Sequence, residues 1–309
     1  MKRKVTVFGS FVVDLMGRTP HLPQKGETVM GSMFKMGPGG KGFNQGVAAH
    51  KAGADVTMIT KVGKDSFADV ALNTMKELNM KSNYVFSSSD VQTGVALIMV
   101  DENTSQNEIV VIPGACNNIE DKEIESIEEV IKSSEYLLIQ LETNMSSIEK
   151  VINIAHNNGV KVILNTAPVQ PISDELLNNV DMVTPNEVEA EILTGIKIET
   201  EDDMRNTAQF FFNKGVKQVV ITLGQRGVYI ANKEMQELIP AYSVKALDTT
   251  GAGDAFNGGL VAALSEGKSL KEAAKFANAL AALSVQKLGT TISMPWREEI
   301  EKFLMKNSI

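Results

Sequence analysis

Short β-branched segments recur along the chain at residues 5–8, 56–60, 136–141, 160–165, 181–184 and 218–224, and stretches of helical period separate them. After Asn144, for example, Met145, Ile148, Val151, Ile152 and Ala155 fall on one helix face, and Leu280, Leu283 and Lys287 continue a second stripe near the end. This alternation is the mark of βαβ units, so the spacing predicts an α/β fold with a parallel sheet covered by helices. Two segments have another texture. Residues 26–37 and 93–114 read as paired strands flanking a polar turn, hence as antiparallel hairpins in a small sheet beside the main one. The 309 residues, 43% of them apolar, suffice to bury roughly 75% of the unfolded surface. One large core with an appendage is expected, and the acidic run 120–135 reads as a solvated helix face.

Charge narrows the function classes. Lys and Arg number 30 against 38 Asp and Glu, a formal charge of −8, which argues against nucleic acid or an acidic membrane as partner. The longest unbroken apolar run is residues 95–100, far short of the roughly 18 residues that span a bilayer. The first apolar segment is broken by Thr6, Gly9, Ser10 and Asp14, so it reads as a first strand rather than a leader. Cys116 is the only cysteine and the three histidines (His21, His50, His156) are scattered, which leaves no zinc spacing and points to a reducing, cytoplasmic setting.

The segment 247–267 carries the most chemistry. Gly251 and Gly253 precede an apolar helical stripe (Phe256, Leu260, Ala263, Leu264), so a loop runs into a helix whose free N–H groups and positive dipole end attract an anion. Asp254 in the first turn has a purely structural explanation as a helix-dipole partner, but that account leaves the paired glycines unexplained. A carboxylate among converging N–H groups is placed to take a proton from a hydroxyl as it attacks phosphorus, which indicates phosphoryl transfer to an alcohol.

A second glycine cluster, residues 37–53, formally satisfies G-x-G-x-x-G through Gly37, Gly39 and Gly42. The dinucleotide reading fails on its neighbours: the first strand lies some thirty residues back and Thr57 stands where an acidic residue belongs. A Walker A loop fails too, because Gly42 follows Lys41. What remains is a helix start bearing Lys41 and Asn44, polar groups suited to a polyhydroxylated ligand. Asp14, Glu142 and Asn186 stand just past the ends of expected strands, where ligands bind in doubly wound sheets. Asn186 and Glu189, one helical turn apart, suit water-bound Mg²⁺ near nucleotide phosphates, and equally an ordinary acidic helix start.

Taken together, residues 9–15, 22–29, 39–49, 61–69, 93–100, 140–142, 184–195, 221–228 and 248–259 resemble the ribokinase family of sugar kinases, also called the phosphofructokinase B family of carbohydrate kinases. The resemblance implies a doubly wound, mostly parallel sheet flanked by helices, as one domain over residues 1–309, with a small β-sheet lid at approximately 10–37 and 93–114. It implies ATP-dependent phosphorylation of the primary hydroxyl of D-ribose, with 2-deoxyribose, another pentose or a nucleoside as alternative acceptors. Asp254 would be the base, with the Gly251, Ala252 and Gly253 N–H groups as the anion hole. Asp14, Gly40, Lys41, Asn44 and Glu142 match the family's sugar contacts; Asn186, Glu189, Thr222, Gly224, Gly227, Gly253 and Asn278 match its ATP and Mg²⁺ region. An activating K⁺ would be held by Asp248, Thr250, Ser284, Lys287, Gly289 and Ser293, mostly through backbone carbonyls. A homodimer through the lid is implied as well. The chain departs from the family pattern at Phe43, where many members carry Ala, at Pro38 inside the glycine run, and at residues 165–168, which read NTAP. Phe43 either narrows the pocket or fills the core behind it. From other classes, a non-catalytic sugar or nucleotide sensor and a dehydrogenase remain as rivals; the intact Asp254 argues against the first and the missing acidic partner against the second.

Overall fold

The computed structural model describes residues 3–104 and 106–307; Ser105, in the turn of the second expected hairpin, lies outside them. The chain starts with β1 (Lys4–Phe8) and runs on as β2 (Val12–Thr19), β3 (Met33–Gly39), α1 (Lys41–Lys51), β4 (Asp55–Gly63), α2 (Ala68–Glu77) and β5 (Val85–Ser88). A hairpin of β6 (Thr93–Asp101) and β7 (Asn107–Gly114) precedes α3 (Asp121–Lys132), β8 (Tyr136–Ile139), α4 (Met145–Asn157), β9 (Lys161–Leu164), α5 (Asp174–Asn178) and β10 (Met182–Val183). The last third holds α6 (Glu187–Thr194), α7 (Glu201–Asn213), β11 (Gln218–Thr222), β12 (Val228–Ala231), β13 (Gln236–Ile239), α8 (Ala252–Ser265), α9 (Leu270–Ser284) and α10 (Arg297–Lys306).

Nine strands form the main sheet in the order β13-β12-β11-β10-β9-β8-β1-β4-β5, parallel from β11 to β5 and antiparallel at the β11-β12-β13 edge. Alternation along each strand serves two helical layers. Val5 and Val7 of β1 and Leu138 of β8 pack with α1, α2, α8 and α9, whereas Phe8, Leu137 and Ile139 pack with α3, α4 and α7. The doubly wound α/β expectation is therefore met, and all six strands read from sequence are present. From β1 the order runs one way to β4 and β5, and from β8 it runs the other way, so the switch point lies between the carboxyl ends of β1 and β8.

The second sheet has the order β3-β2-β6-β7. Its first hairpin is not the one expected within residues 26–37. Residues 26–31 form no strand, and β3 pairs antiparallel with β2 across a long connection. Asp14 consequently sits inside β2, opposite Gly37 and Ala96, rather than in a loop past β1. The acidic run also needs correcting. Ile124, Ile127 and Ile131 of α3 enter the core, and Glu123, 9% exposed, meets the buried Lys61 ammonium at 2.9 Å. The stripe near the end stops at Ser284, so Lys287 lies beyond its helix. Among the described residues no helix is long and apolar enough to cross a membrane.

Candidate active site

At the switch point Gly9, Ser10 and the start of α1 meet Gln140 and Glu142, which follow β8. The Ser10 hydroxyl donates to Glu142 Oε2 at 2.5 Å and the Lys41 amide donates to the same oxygen at 2.9 Å. Helices α1 and α8 both point their N-termini here, capped by Gly40 and Gly251 with no side-chain cap; the first amides of α1 are taken up by Glu142 and Ser10, whereas the Gly251 and Gly253 amides at the start of α8 are left for a ligand. Gly251 adopts φ 76°, a left-handed turn that steers the chain into α8. Farther along α8, a Cβ on Gly258 would lie 2.4 Å from Ala48 Cβ and 2.6 Å from the Gln45 carbonyl. Only glycine lets the two helices close to this distance, and their closeness brings α1 side chains within reach of Asp254.

Asp254 is 6% exposed, and both of its oxygens are engaged: Asn44 Nδ2 donates to Oδ2 and Gln45 Nε2 to Oδ1, each at 3.0 Å. It borders a cleft of about 170 Å³ lined by Lys41, Asn186, Glu189, Thr222, Gly251, Ala252 and Gly253 among the expected residues, together with Asn165, Thr184, Thr249 and Asn257. Burial opposes the Lys41 charge, yet the carboxylates of Asp254, Glu142 and Glu189 hold its pKa above the usual value. Burial pushes Glu189 up, against the pull of the Asn186 amide and Lys41. Asn186 and Glu189 also close a capping box on α6, with Asn186 Oδ1 accepting from the Glu189 amide at 2.8 Å. The acidic helix start and the cleft-lining role thus coincide in one pair.

Asp14, on the small sheet, does not line this cleft but lies close enough to Asp254 and Glu142 to feel their charges. Burial pushes its carboxyl up to about 6, helped by the charges of Asp254 and Glu142 and opposed by the Thr290 hydroxyl, which donates to Oδ2 at 3.1 Å. The Thr291 hydroxyl donates to Asn44 Oδ1 at 2.5 Å. Gly224 and Gly227 lie in the β11–β12 turn, and Asn278 sits on α9 with its amide donating to the Pro240 carbonyl at 3.2 Å; none of the three lines the cleft. Asp248 accepts from the Thr250 and Gly289 amides, both at 2.9 Å, which hold its carboxyl low against burial. The Ser293 hydroxyl donates to the Thr290 carbonyl, and Lys287 turns its ammonium to Glu299. Phe43 is fully buried with its ring 4.9 Å from that of Phe11 at 77°, so it fills the core and does not line the cleft.

Sequence reading missed Gln45, Asn165, Asn257, Thr290 and Thr291. The first three lie within motifs already quoted, and Asn257 stands one helical turn after Asp254. Nothing local marks the two threonines, whose partners are more than 240 residues away in sequence.

A pfkB family carbohydrate kinase model matches residues 2–297. A ribokinase of Haemophilus influenzae is 42% identical over 98% of this chain and 99% of its own, and a deoxyribokinase of Salmonella typhi is 35% identical over 98% and 99%. Among solved structures, an Arabidopsis thaliana ribokinase complexed with ribose and ATP superposes with a TM-score of 0.90 at 30% identity, covering 98% of this chain and 99% of that one.

Proposed function

Since the chain belongs to the pfkB family of carbohydrate kinases, we propose that it transfers the γ-phosphoryl group of ATP to the primary hydroxyl of D-ribose, giving D-ribose 5-phosphate. The observation that carries this reading is Asp254, a buried carboxylate at the start of α8 beside amides suited to an oxyanion. Asp254 takes the hydroxyl proton as the sugar oxygen bonds to the γ-phosphorus, the bond to the bridging oxygen breaks, and ADP leaves. The Gly251, Ala252 and Gly253 N–H groups and Lys41 face the charge that develops on the transferred group. Asp14, Gly40, Asn44 and Glu142 hold the sugar; Asn186, Thr222, Gly224, Gly227 and Asn278 border the nucleotide.

Mg²⁺ fits beside Glu189, whose buried charge a cation relieves; held there through water with Asn186, it would offset the triphosphate. K⁺ would lie by Asp248, whose carboxylate the Thr250 and Gly289 amides hold in place, with Thr250, Ser284, Lys287, Gly289 and Ser293 as its surroundings. A coupled ADP-release assay with Mg-ATP, with and without K⁺, across D-ribose, 2-deoxy-D-ribose, D-fructose and adenosine tests the whole reading. Ribose turnover raised by K⁺ supports it. A preference for 2-deoxyribose, the acceptor that the Salmonella relative's name indicates, replaces the sugar and keeps the mechanism.

The raised Asp14 carboxyl gives a pH signature. As pH falls through about 6 the group gains a proton and loses acceptor capacity for sugar hydroxyls. The kcat/KM for ribose should then drop toward tenfold per pH unit, while Asp14→Asn flattens that limb at a lower plateau. An unmoved profile in the variant removes Asp14 from the sugar site.

The outward face of the small sheet supports a homodimer through the lid formed by residues 10–37 and 93–114. Met36, Leu97 and Val110 lie in one row across it, with Phe34, Met99 and Ile112 in the rows beside, and all six are at least 36% exposed. Val110→Asp is expected to convert the dimer to monomer in sedimentation equilibrium; a variant that still dimerises rules out this face. A cytoplasmic location is in keeping with the single, buried Cys116.

A further inference from the structure

The donors on Asp254 belong to amides whose other ends are also fixed, and the carboxylate dictates their order. A carboxylate only accepts, so Asn44 and Gln45 must both present NH₂ groups to it. The second N–H of Gln45 goes to Asn165 Oδ1 at 3.0 Å, and Asn165 Nδ2 donates to the Thr184 carbonyl at 2.9 Å. Gln45 Oε1 is thereby turned away from the charge and accepts from Gln140 Nε2 at 2.7 Å. Gln140 Oε1 then ends the series buried and without a hydrogen-bond partner. Both glutamines are fully buried.

Turning Gln140 over would set its oxygen against that of Gln45, and turning both would set Gln45 Oε1 against the Asp254 carboxylate. The orphaned acceptor is therefore what remains when a buried amide series is oriented by a negative charge at its far end. We propose that Gln45, backed by Gln140, is a positioning residue for Asp254: its NH₂ group donates to the carboxylate and fixes it at the cleft. Asn165 clamps Gln45 from the side, so the amide has one orientation available. The inference rests on Asp254 being the base.

The test is the pH dependence of kcat at saturating sugar and ATP, where the acid limb reports the base in the ternary complex. Asp14, Lys41 and Glu189 are the charged groups that interact with Asp254, and all three stay in place in the variants. Gln45→Met, of similar length without the donors, should lower kcat about tenfold or more and move the acid limb up by about one pH unit, with KM for the sugar changing less than about threefold. Gln140→Leu should shift kcat and the limb in the same direction by less. A folded Gln45→Met protein with the parent's kcat and acid limb overturns the proposal, as does a fall in kcat with the limb unmoved. If Gln45→Met does not fold, Gln140→Leu decides, and an unmoved limb there overturns it equally. Activity retained by Asp254→Asn would instead defeat the base assignment, whereas an inactive Asp254→Asn beside an unmoved Gln45→Met defeats the positioning role alone.

Discussion

Asp254→Asn lowers kcat by roughly 10² to 10⁴ and leaves sugar binding within about threefold. The size follows from what the site holds. Asp254 is the carboxylate at the N-terminus of α8, and the other cleft groups there, the amides of residues 251–253 and Lys41, are donors or cations at neutral pH. An asparagine in its place has no basic atom for the sugar proton, yet the amides at the start of α8 and the carboxylates proposed to hold the sugar, Asp14 and Glu142, persist. Folding suffers modestly. The asparagine NH₂ faces either Asn44 Nδ2 or Gln45 Nε2, donor against donor, a loss of about 1–3 kcal/mol for a buried mismatch. Rate by coupled ADP release and sugar affinity by calorimetry separate the two effects. An unchanged kcat takes Asp254 out of the chemistry; a lost sugar affinity with proportionate loss of rate makes it a binding residue.

The strands and the helix starts were legible because their causes are local. The near-continuous apolar runs in residues 136–141 and 218–224 reflect burial on both faces of the sheet, and the Gly251–Asp254 run carries its turn, its open N–H groups and its carboxylate within four positions. The pairing of β3 with β2 was not legible, since residues 26–31 and 33–39 look alike in composition and the true partner lies before a long connection. Asp14 was misplaced for the same reason: its setting depends on which strand continues into the small sheet. The surroundings of Asp254 were legible only in part. Asn44 and Lys41 stood out beside glycines, but the contact between Gln45 and Asp254 joins positions 209 apart, and no periodicity encodes it. It exists because Gly258 lets α8 lie against α1, a packing fact that needs both helices in space. Glu123 shows the converse, a residue that charge patterning assigns to solvent and that Lys61 draws into the interior.

Phe43→Ala is expected to cost about 3–5 kcal/mol of stability and to leave the choice of sugar where it is. The ring is fully buried, meets Phe11 edge to face at 4.9 Å, and belongs to the core shared by β1, α1 and α8. Removing it opens a cavity beneath the first turn of α1, and the edge-to-face contact, about 0.5–1.5 kcal/mol, goes with it. For a chain of 309 residues this corresponds to a fall in melting temperature of roughly 5 to 8 °C. The proposed sugar contacts do not move in proportion, because the Phe43 amide donates to the Ser10 carbonyl at 2.9 Å and the neighbouring Lys41 amide to Glu142, bonds of the backbone that the side chain does not make. The ratio of kcat/KM for D-ribose over 2-deoxy-D-ribose should stay within about twofold of the parent, since a lost hydroxyl contact, by contrast, changes such ratios by orders of magnitude. A variant with an intact melting temperature but a shifted ratio would put the ring at the wall of the sugar site after all. The opposite result makes Phe43 a residue of the hydrophobic core on which the first turn of α1, and with it Lys41 and Asn44, is held against the sheet.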